Sequence, residues 1–384
     1  MQNQMIPNTK SSEYNIISVT NLLLFLLIVP KINLINISNY WQGIRTENII
    51  SIALLLIIIF NPDKFKITNN SKFFLFCGII FISYFVGVTN NLPIHIVTLF
   101  RIFEYIVFVL FFSNFELDYK KIIFFIKSLI ILNIILVLLQ YNDIIGYISS
   151  RGYFEPNYTL WKAAGAFSGS WELSFISSIF YFIIYHFERK KINIYFFLTL
   201  IILYFAGTRG IMISFCLSII FLYLGKFKIN VLYIIIAFLS VYGFFIFTNK
   251  YFEFDLFLLA ESLLRVIFLN QNIFENFSLI EDQYYSWAYR MEIWAYHADA
   301  FNKNVFTSLF GSGYSTLYYE SFILRILFAN GIIGLITLCI LVLRLKFYII
   351  IFLLLTGFSL DFVVSFKMFI TLFLYFRCLK FLEK

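Results

Sequence analysis

Charge is scarce in this chain. Of its 384 residues only 13% are Asp, Glu, Lys or Arg, where a soluble domain of that length carries roughly a quarter. Cysteine is sparse too. Cys77, Cys216, Cys339 and Cys378 all sit inside apolar runs and none falls in 249–318, so neither a disulfide framework nor a cysteine-based metal site is supported. No zinc-like ligand cluster and no phosphate-cradling loop with its lysine occurs. Zinc-dependent and ATP-driven chemistry are therefore unsupported, and no cofactor or metal is expected. A cleavable signal peptide is not expected either. Residues 1–13 are polar and no A-x-A site follows the first apolar run, which therefore reads as a membrane span. The halves show no repeat, which counts against transporters built from paired inverted or parallel halves.

What the chain has instead is apolar length. It is 61% hydrophobic, with 52 Phe and a mean hydropathy of +0.87. Runs of about twenty apolar residues, enough to cross a hydrocarbon core of about 30 Å, recur almost from end to end. Spans are expected at 15–36, 46–61, 73–89, 93–113, 122–140, 164–186, 194–207, 210–224, 229–248, 319–342, 346–362 and 366–381. The pairs at 194–224 and 346–381 are closely spaced. This pattern predicts an all-α polytopic membrane protein of 11–12 transmembrane helices, one integral membrane domain over 1–384, with a large, partly helical outer loop at 249–318.

Orientation follows from the basic residues. With the N-terminus inside, the inner segments hold Lys10, Lys64, Lys66, Lys72, Lys120, Lys121, Arg189, Lys190, Lys191, Lys226, Lys228, Arg344, Lys346, Arg377, Lys380 and Lys384. The short outer links hold Lys31, Arg45, Arg151, Lys162, Arg209 and Lys367. Sixteen against six puts both termini in the cytoplasm and the large loop outside. The net charge of +8 is thereby explained by cytoplasmic loops, and no nucleic-acid partner is implied.

Ionisable residues within spans are candidates for function. Arg101 and Glu104, three apart, share a helix face and can neutralise each other; a structural and a functional pair both remain open. Glu172, in SGSWEL, lies about eight residues into its span, roughly 12 Å at 1.5 Å per residue. It has no basic neighbour within a turn, so its partner comes from another helix, a lipid headgroup or substrate. Lys127 can snorkel to the inner interface. Arg209 stands in Ala206-Gly207-Thr208-Arg209-Gly210, a tight outer link where a topogenic arginine is out of place and where a guanidinium suits bidentate phosphate recognition.

In the outer loop, 282–302 reads as a helix on or near the membrane. Arg290, Trp294, His297 and Phe301 recur at i, i+4, i+7 and i+11 on one face. That face suits an anion and a sugar, and it equally suits an amphipathic interfacial helix with an aromatic belt. The stretch 251–269 offers a second interfacial helix. Gly311-Ser312-Gly313-Tyr314 suits a tight turn, and Glu320 begins a span at the outer mouth, the same side as Arg209 and Arg290.

Three segments together resemble the O-antigen polymerase (Wzy) family within the O-antigen ligase and polymerase superfamily. They are FAGTRGIMISF (205–215), YRMEIWAYHADAFNKNVFTSLFGSGY (289–314) and YESFILRILFANGIIGLI (319–336). They are similar to that family's Ser/Thr-Arg-Gly turn, its Arg-x-x-x-Trp helix leading to a Gly-x-Gly turn, and its acidic or His-Ser/Asn span start before Gly-Ile-x-Gly. AGAFSGSWELSF (164–175) is similar to a further family segment. Ligases of the superfamily usually carry His near the position of Glu320, so Glu320-Ser321 sides with a polymerase; the paired Arg-x10-Gly loop motifs of some polymerases are missing, which leaves the role of Arg151 open.

The resemblance implies a C-type glycosyltransferase in a bacterial inner membrane with its active site facing the periplasm, serving lipopolysaccharide or other surface-polysaccharide synthesis. Donor and acceptor are implied to be undecaprenyl-pyrophosphate-linked oligosaccharides, with a chain-length regulator as a further partner. Arg209, Arg290 and Glu320 are implied to be catalytic, and Glu172, Arg151, Trp294, His297 and Tyr314 to bind substrate. An O-antigen ligase is the nearest rival, and a lipid-linked oligosaccharide flippase is the rival from another class.

The topology is directly testable. Reporter fusions after residues 65, 121, 190 and 227 should report cytoplasmic placement, and fusions at 208 and within 270–280 should report the outer side. One reversal upstream of residue 249 would remove the alternation on which the orientation rests.

Overall fold

A computed structural model describes residues 9–31, 33–36, 43–65, 71–92, 96–146, 148, 162–188, 192–224, 281–315, 319, 321–342, 345–361 and 365–382. Among them are thirteen α-helices: α1 (Thr9–Ile28), α2 (Thr46–Phe60), α3 (Ser71–Thr89), α4 (Ile96–Ser113), α5 (Tyr119–Tyr141), α6 (Ser170–Glu188), α7 (Ile194–Ala206), α8 (Arg209–Leu224), α9 (Glu281–Asn302), α10 (Val305–Phe310), α11 (Phe322–Val342), α12 (Phe347–Ser359) and α13 (Phe366–Leu382). The expected span at 229–248, the interfacial stretch 251–269, Arg151 and Glu320 lie outside the described residues.

The helical class holds, with two corrections at span ends. The expected span 15–36 stops at Ile28, because Pro30 cannot continue a helix and pushes the residue before it out of the helical region. Its tail becomes β1 (Asn33–Asn36), paired antiparallel with β2 (Gly43–Arg45) in a small hairpin. The span expected from 164 starts as a helix only at Ser170. The preceding amides are taken by side chains instead: Ala164 and Gly165 donate to Gln140 Oε1 at 3.0 and 2.8 Å, and Ala166 donates to Asn133 Oδ1 at 2.9 Å. Gly165 sits at φ +57°, a conformation open to glycine at little cost. Glu172 is consequently in the first turn of α6, much nearer the helix mouth than eight residues in.

Three described helices are long and apolar enough to cross a membrane: Lys72–Thr89, Tyr119–Tyr141 and Phe322–Val342. Shorter apolar helices run over Ser18–Ile28, Thr46–Phe60, Ile194–Ala206, Arg209–Tyr223 and Phe347–Gly357. Large apolar side chains face outward along them, among them Phe60, Phe85, Phe124, Ile135 and Tyr204. Water would penalise so wide an apolar exterior, and lipid tails would not. Three helices that could cross a membrane and this apolar surface suit a polytopic membrane protein.

The residues pack into two compact units. The first comprises Met1–Ser71, Leu99–Phe215 and Phe362–Lys384, the second Lys72–Thr98 and Cys216–Asp361. In the first unit α6 is the central post, buried at every position from Glu172 to Tyr185. A helix apolar all round belongs in such a position. It packs on α13, α7 and α5, and α5 packs on α7. Where lipid removes the hydrophobic drive, small residues let helices approach closely. Ser174, Ser177 and Ser178 supply that smoothness on α6, and the hydroxyls of Ser174 and Ser178 donate to carbonyls one turn back at 2.8 Å. Near the other end of α6, Lys127 pairs with Glu188, so it has an acid partner as well as a route to the interface.

In the second unit α11 is broken. Gly331 sits at φ 69°, ψ −173° inside the helix, a backbone state that is essentially glycine's alone. The Gly311–Gly313 turn, with φ +86° and +75°, seals the gap: Ser312 and Gly313 amides donate to the Phe328 and Ala329 carbonyls at 3.0 Å each. Backbone meets backbone so closely that a Cβ on Gly311 would lie 2.2 Å from Ala329, and one on Gly331 would lie 2.3 Å from the Leu309 carbonyl.

Gly331→Ala should therefore destabilise the detergent-solubilised chain by about 3 kcal/mol or more from backbone strain and clash together. Gly78→Ala, whose added Cβ would meet nothing within 4 Å, should leave the melting temperature unchanged or slightly raised. Equal behaviour of the two variants would contradict the sealed break.

Candidate functional site

Each unit concentrates polar side chains that its apolar helices would otherwise exclude. In the second unit the sequence-predicted face of α9 is turned inward. Trp294 and His297 are each 1% exposed, and Ile293, Ala298 and Phe301 are buried beside them. Trp294 Nε1 donates to the Tyr319 carbonyl at 2.6 Å, and the His297 ring stacks on the Tyr319 ring at 3.8 Å. Glu292, Tyr296 and Asp299 take the exposed side. The aromatic face expected to hold sugar thus fastens α9 to the segment before α11. Arg290, half-buried one turn before Trp294, is placed by that fastening.

Tyr314 is likewise internal. Its hydroxyl donates to Asn330 Oδ1 at 2.9 Å, and Tyr319 donates to the Gly313 carbonyl at 3.2 Å. Burial pushes the Tyr314 phenol up to about 12 and that of Tyr319 higher still, so both remain protonated donors. Over the Tyr314 ring, 4.2 Å from its centre, lies the Arg325 guanidinium, which pairs with Asp361 at 2.6 Å. Both charges are buried. Asp361 follows the end of α12, and its partner stands 36 residues earlier in the sequence.

In the first unit the centre is Glu172, fully buried at the mouth of α6. Its Oε2 accepts from the Ser168 amide at 2.9 Å and the Ser168 hydroxyl at 2.6 Å, and its Oε1 accepts from Ser365. These donors hold the carboxylate oxygens, so sugar hydroxyls have little left to bind there. The fields of Lys31 and Lys367 act on the same carboxylate. Lys31 follows α1, and loss of solvation lowers its ammonium to about 7 against the opposite pull of Glu172.

Alongside stands a second charged group. Arg101 pairs with Glu104 at 2.8 Å and with Glu47 at 3.6 Å, and Arg45 lies 3.8 Å from Glu47. Asn48 donates to Glu104 and accepts from the Arg45 amide at 2.6 Å. The Arg101–Glu104 pair of the sequence is real, and it belongs to this wider network. Arg209 is the first residue of α8 and exposed. The preceding Gly207 ends α7 in the left-handed region, φ 62°, and Thr208 donates to Ser174 of α6 at 2.5 Å. The predicted residues are thus divided: Glu172 and Arg209 belong to the first unit, Arg290, Trp294, His297 and Tyr314 to the second. Lys31, Arg45 and Lys367, read from sequence only as outer-side basic residues, turn out to surround buried carboxylates. Their position against the positive-inside grain was the signal.

No family model, curated protein or solved structure matches the chain. Among the described residues no group of three or more His, Cys, Asp or Glu could hold a metal ion.

Breaking the Arg325–Asp361 pair from one side leaves a buried charge unpaired. Asp361→Leu should cost about 3–5 kcal/mol in thermal unfolding, while the double variant Arg325→Met/Asp361→Leu should recover most of it. Independent, additive losses would show that the two groups do not act as a pair.

Proposed function

We propose that this chain is an O-antigen polymerase, or a polymerase of another surface polysaccharide, that joins undecaprenyl-pyrophosphate-linked repeat units at the outer face of a bacterial cytoplasmic membrane. The observation that carries the reading is the ordered set of segments at 205–215, 289–314 and 319–336. Further support comes from the way the last two behave as one packed body: the Arg290 helix is fastened by Trp294 to Tyr319, and the Gly311–Gly313 turn seals the break at Gly331. The expected 11–12 spans with both termini inside agree with the reading.

The chemistry runs through groups of this chain. An acceptor hydroxyl attacks the anomeric carbon of the donor glycan, the bond from that carbon to the pyrophosphate oxygen breaks, and undecaprenyl pyrophosphate departs. The resemblance assigns to Arg209 and to Arg290 the neutralising of charge on the leaving group, and to Glu320 the orienting of the acceptor hydroxyl and the uptake of its proton. Pyrophosphate is already a good leaving group, so neither nucleotide nor metal is required. Trp294 and His297 serve by holding Arg290, and Glu172 by ordering the mouth of α6. Arg151, to which the resemblance gives a part in substrate binding, lies outside the described residues. The polyprenyl tail stays in the bilayer and enters between spans.

A flippase takes some support from the broken α11, since interrupted helices line many transport sites. Here, however, the carbonyls freed at Phe328 and Ala329 are already occupied by Ser312 and Gly313, which leaves them nothing to offer a substrate. Deletion of the gene separates the readings. Loss of long chains with single repeats still displayed is expected; loss of all surface glycan means a ligase, and lipid-linked units held on the cytoplasmic side mean a flippase. Arg209→Ala and Arg290→Ala should each abolish polymerisation with insertion intact, and full activity in either would overturn the assigned roles.

A further inference from the structure

Lys367 is the residue the mechanism leaves unexplained. It is the second residue of α13, 5% exposed, and its Nζ has no hydrogen-bond partner among the described residues. The ring of Phe167 lies 5.2 Å away, and the nearest acids by field are Glu172 and Glu47. A buried ammonium has three N–H donors to satisfy, and leaving them empty inside a membrane protein costs several kcal/mol. Glu172 does not complete them, since its oxygens are held by Ser168 and Ser365.

Charge leads to the same point. Among the described residues of this cluster, the cations Lys31, Arg45, Arg101 and Lys367 face the carboxylates Glu47, Glu104 and Glu172. Arg101 is bridged to two of those acids, and Glu172 is shared by both lysines. With Lys31 protonated, one positive charge is left over among the described residues of the cluster. The first turns of α2, α6 and α13 supply Glu47, Glu172 and Lys367, so helix N-termini add positive potential close to these groups.

We infer that Lys367, with Lys31 beside Glu172, forms a binding site for a phosphate-type oxyanion in the first unit. The oxyanion supplies the acceptors that Lys367 lacks and balances the surplus charge. The site rests on the first unit alone and stands whether or not the chain is a polymerase. Two sources carry this chemistry, a soluble pyrophosphate or phosphate group and the headgroup of an anionic phospholipid.

The test uses the full chain in nanodiscs of uncharged phosphatidylcholine, melted with increasing inorganic pyrophosphate, and in discs containing phosphatidylglycerol with none added. Wild type should melt several degrees higher in at least one arm. A response to pyrophosphate identifies a free oxyanion, and a response confined to phosphatidylglycerol identifies a headgroup. Lys367→Met should lose the response while melting no lower than wild type without anion, and Lys367→Arg should keep it. Lys31→Met, the second variant should Lys367→Met fail to insert, should weaken half-saturation about tenfold. No response in either arm, or one unchanged in both Lys367→Met and Lys31→Met, would overturn the site and leave only trapped water at the ammonium.

Discussion

A carboxylate buried where water is scarce must be given every partner it needs, and Glu172 organises the first unit by that demand. Its oxygens draw in Ser168 from the turn before α6 and Ser365 from the approach to α13, two places almost two hundred residues apart in sequence. Two lysines gather around the same charge. The turn itself is fixed from behind by Gln140 and Asn133 of α5. Remove the carboxylate, and the mouths of three helices lose their common point. The central post α6 could not end so deep in the unit without that ring of donors.

The second unit answers the same constraint in backbone rather than side chain. A helix interrupted in an apolar setting leaves carbonyls that lipid cannot satisfy. The break at Gly331 is tolerable because the Gly311–Gly313 turn delivers two amides to the orphaned carbonyls, and only glycine allows the two backbones to meet so closely. Around that seal Tyr314, Tyr319, Trp294 and the Arg325–Asp361 pair form a dry, polar interior. The geometry gives Arg290 a firm base, as the role proposed for its guanidinium requires.

Much of the fold was legible because apolar length and helix punctuation are local signals. The ends of α2, α5, α7 and α12 fall within a few residues of expectation; in the structure Asp118 caps the start of α5, and Asn193 and Gly207 cap the two ends of α7. What escaped was decided at long range. Nothing near Glu172 announces Ser365, and nothing near Arg325 announces Asp361. Pro30 was in plain view, yet apolar residues on both sides hid the end of α1. Gly331 and Gly334 were visible in the motif, while the break at Gly331 depends on its φ of 69° and on a turn some twenty residues earlier. The periodicity of Arg290, Trp294 and His297 located the face correctly and could not say whether it turned toward ligand or core.

The proposed reaction is a glycosyl transfer driven by a lipid pyrophosphate leaving group. Its most direct measurement is a reconstituted reaction: purified full chain in liposomes, supplied with the host's own lipid-linked repeat unit and no nucleotide. A polymerase yields a ladder of longer lipid-linked glycans, with one undecaprenyl pyrophosphate released for each linkage formed. Repeat units that cross the bilayer or reach another acceptor without lengthening would contradict it.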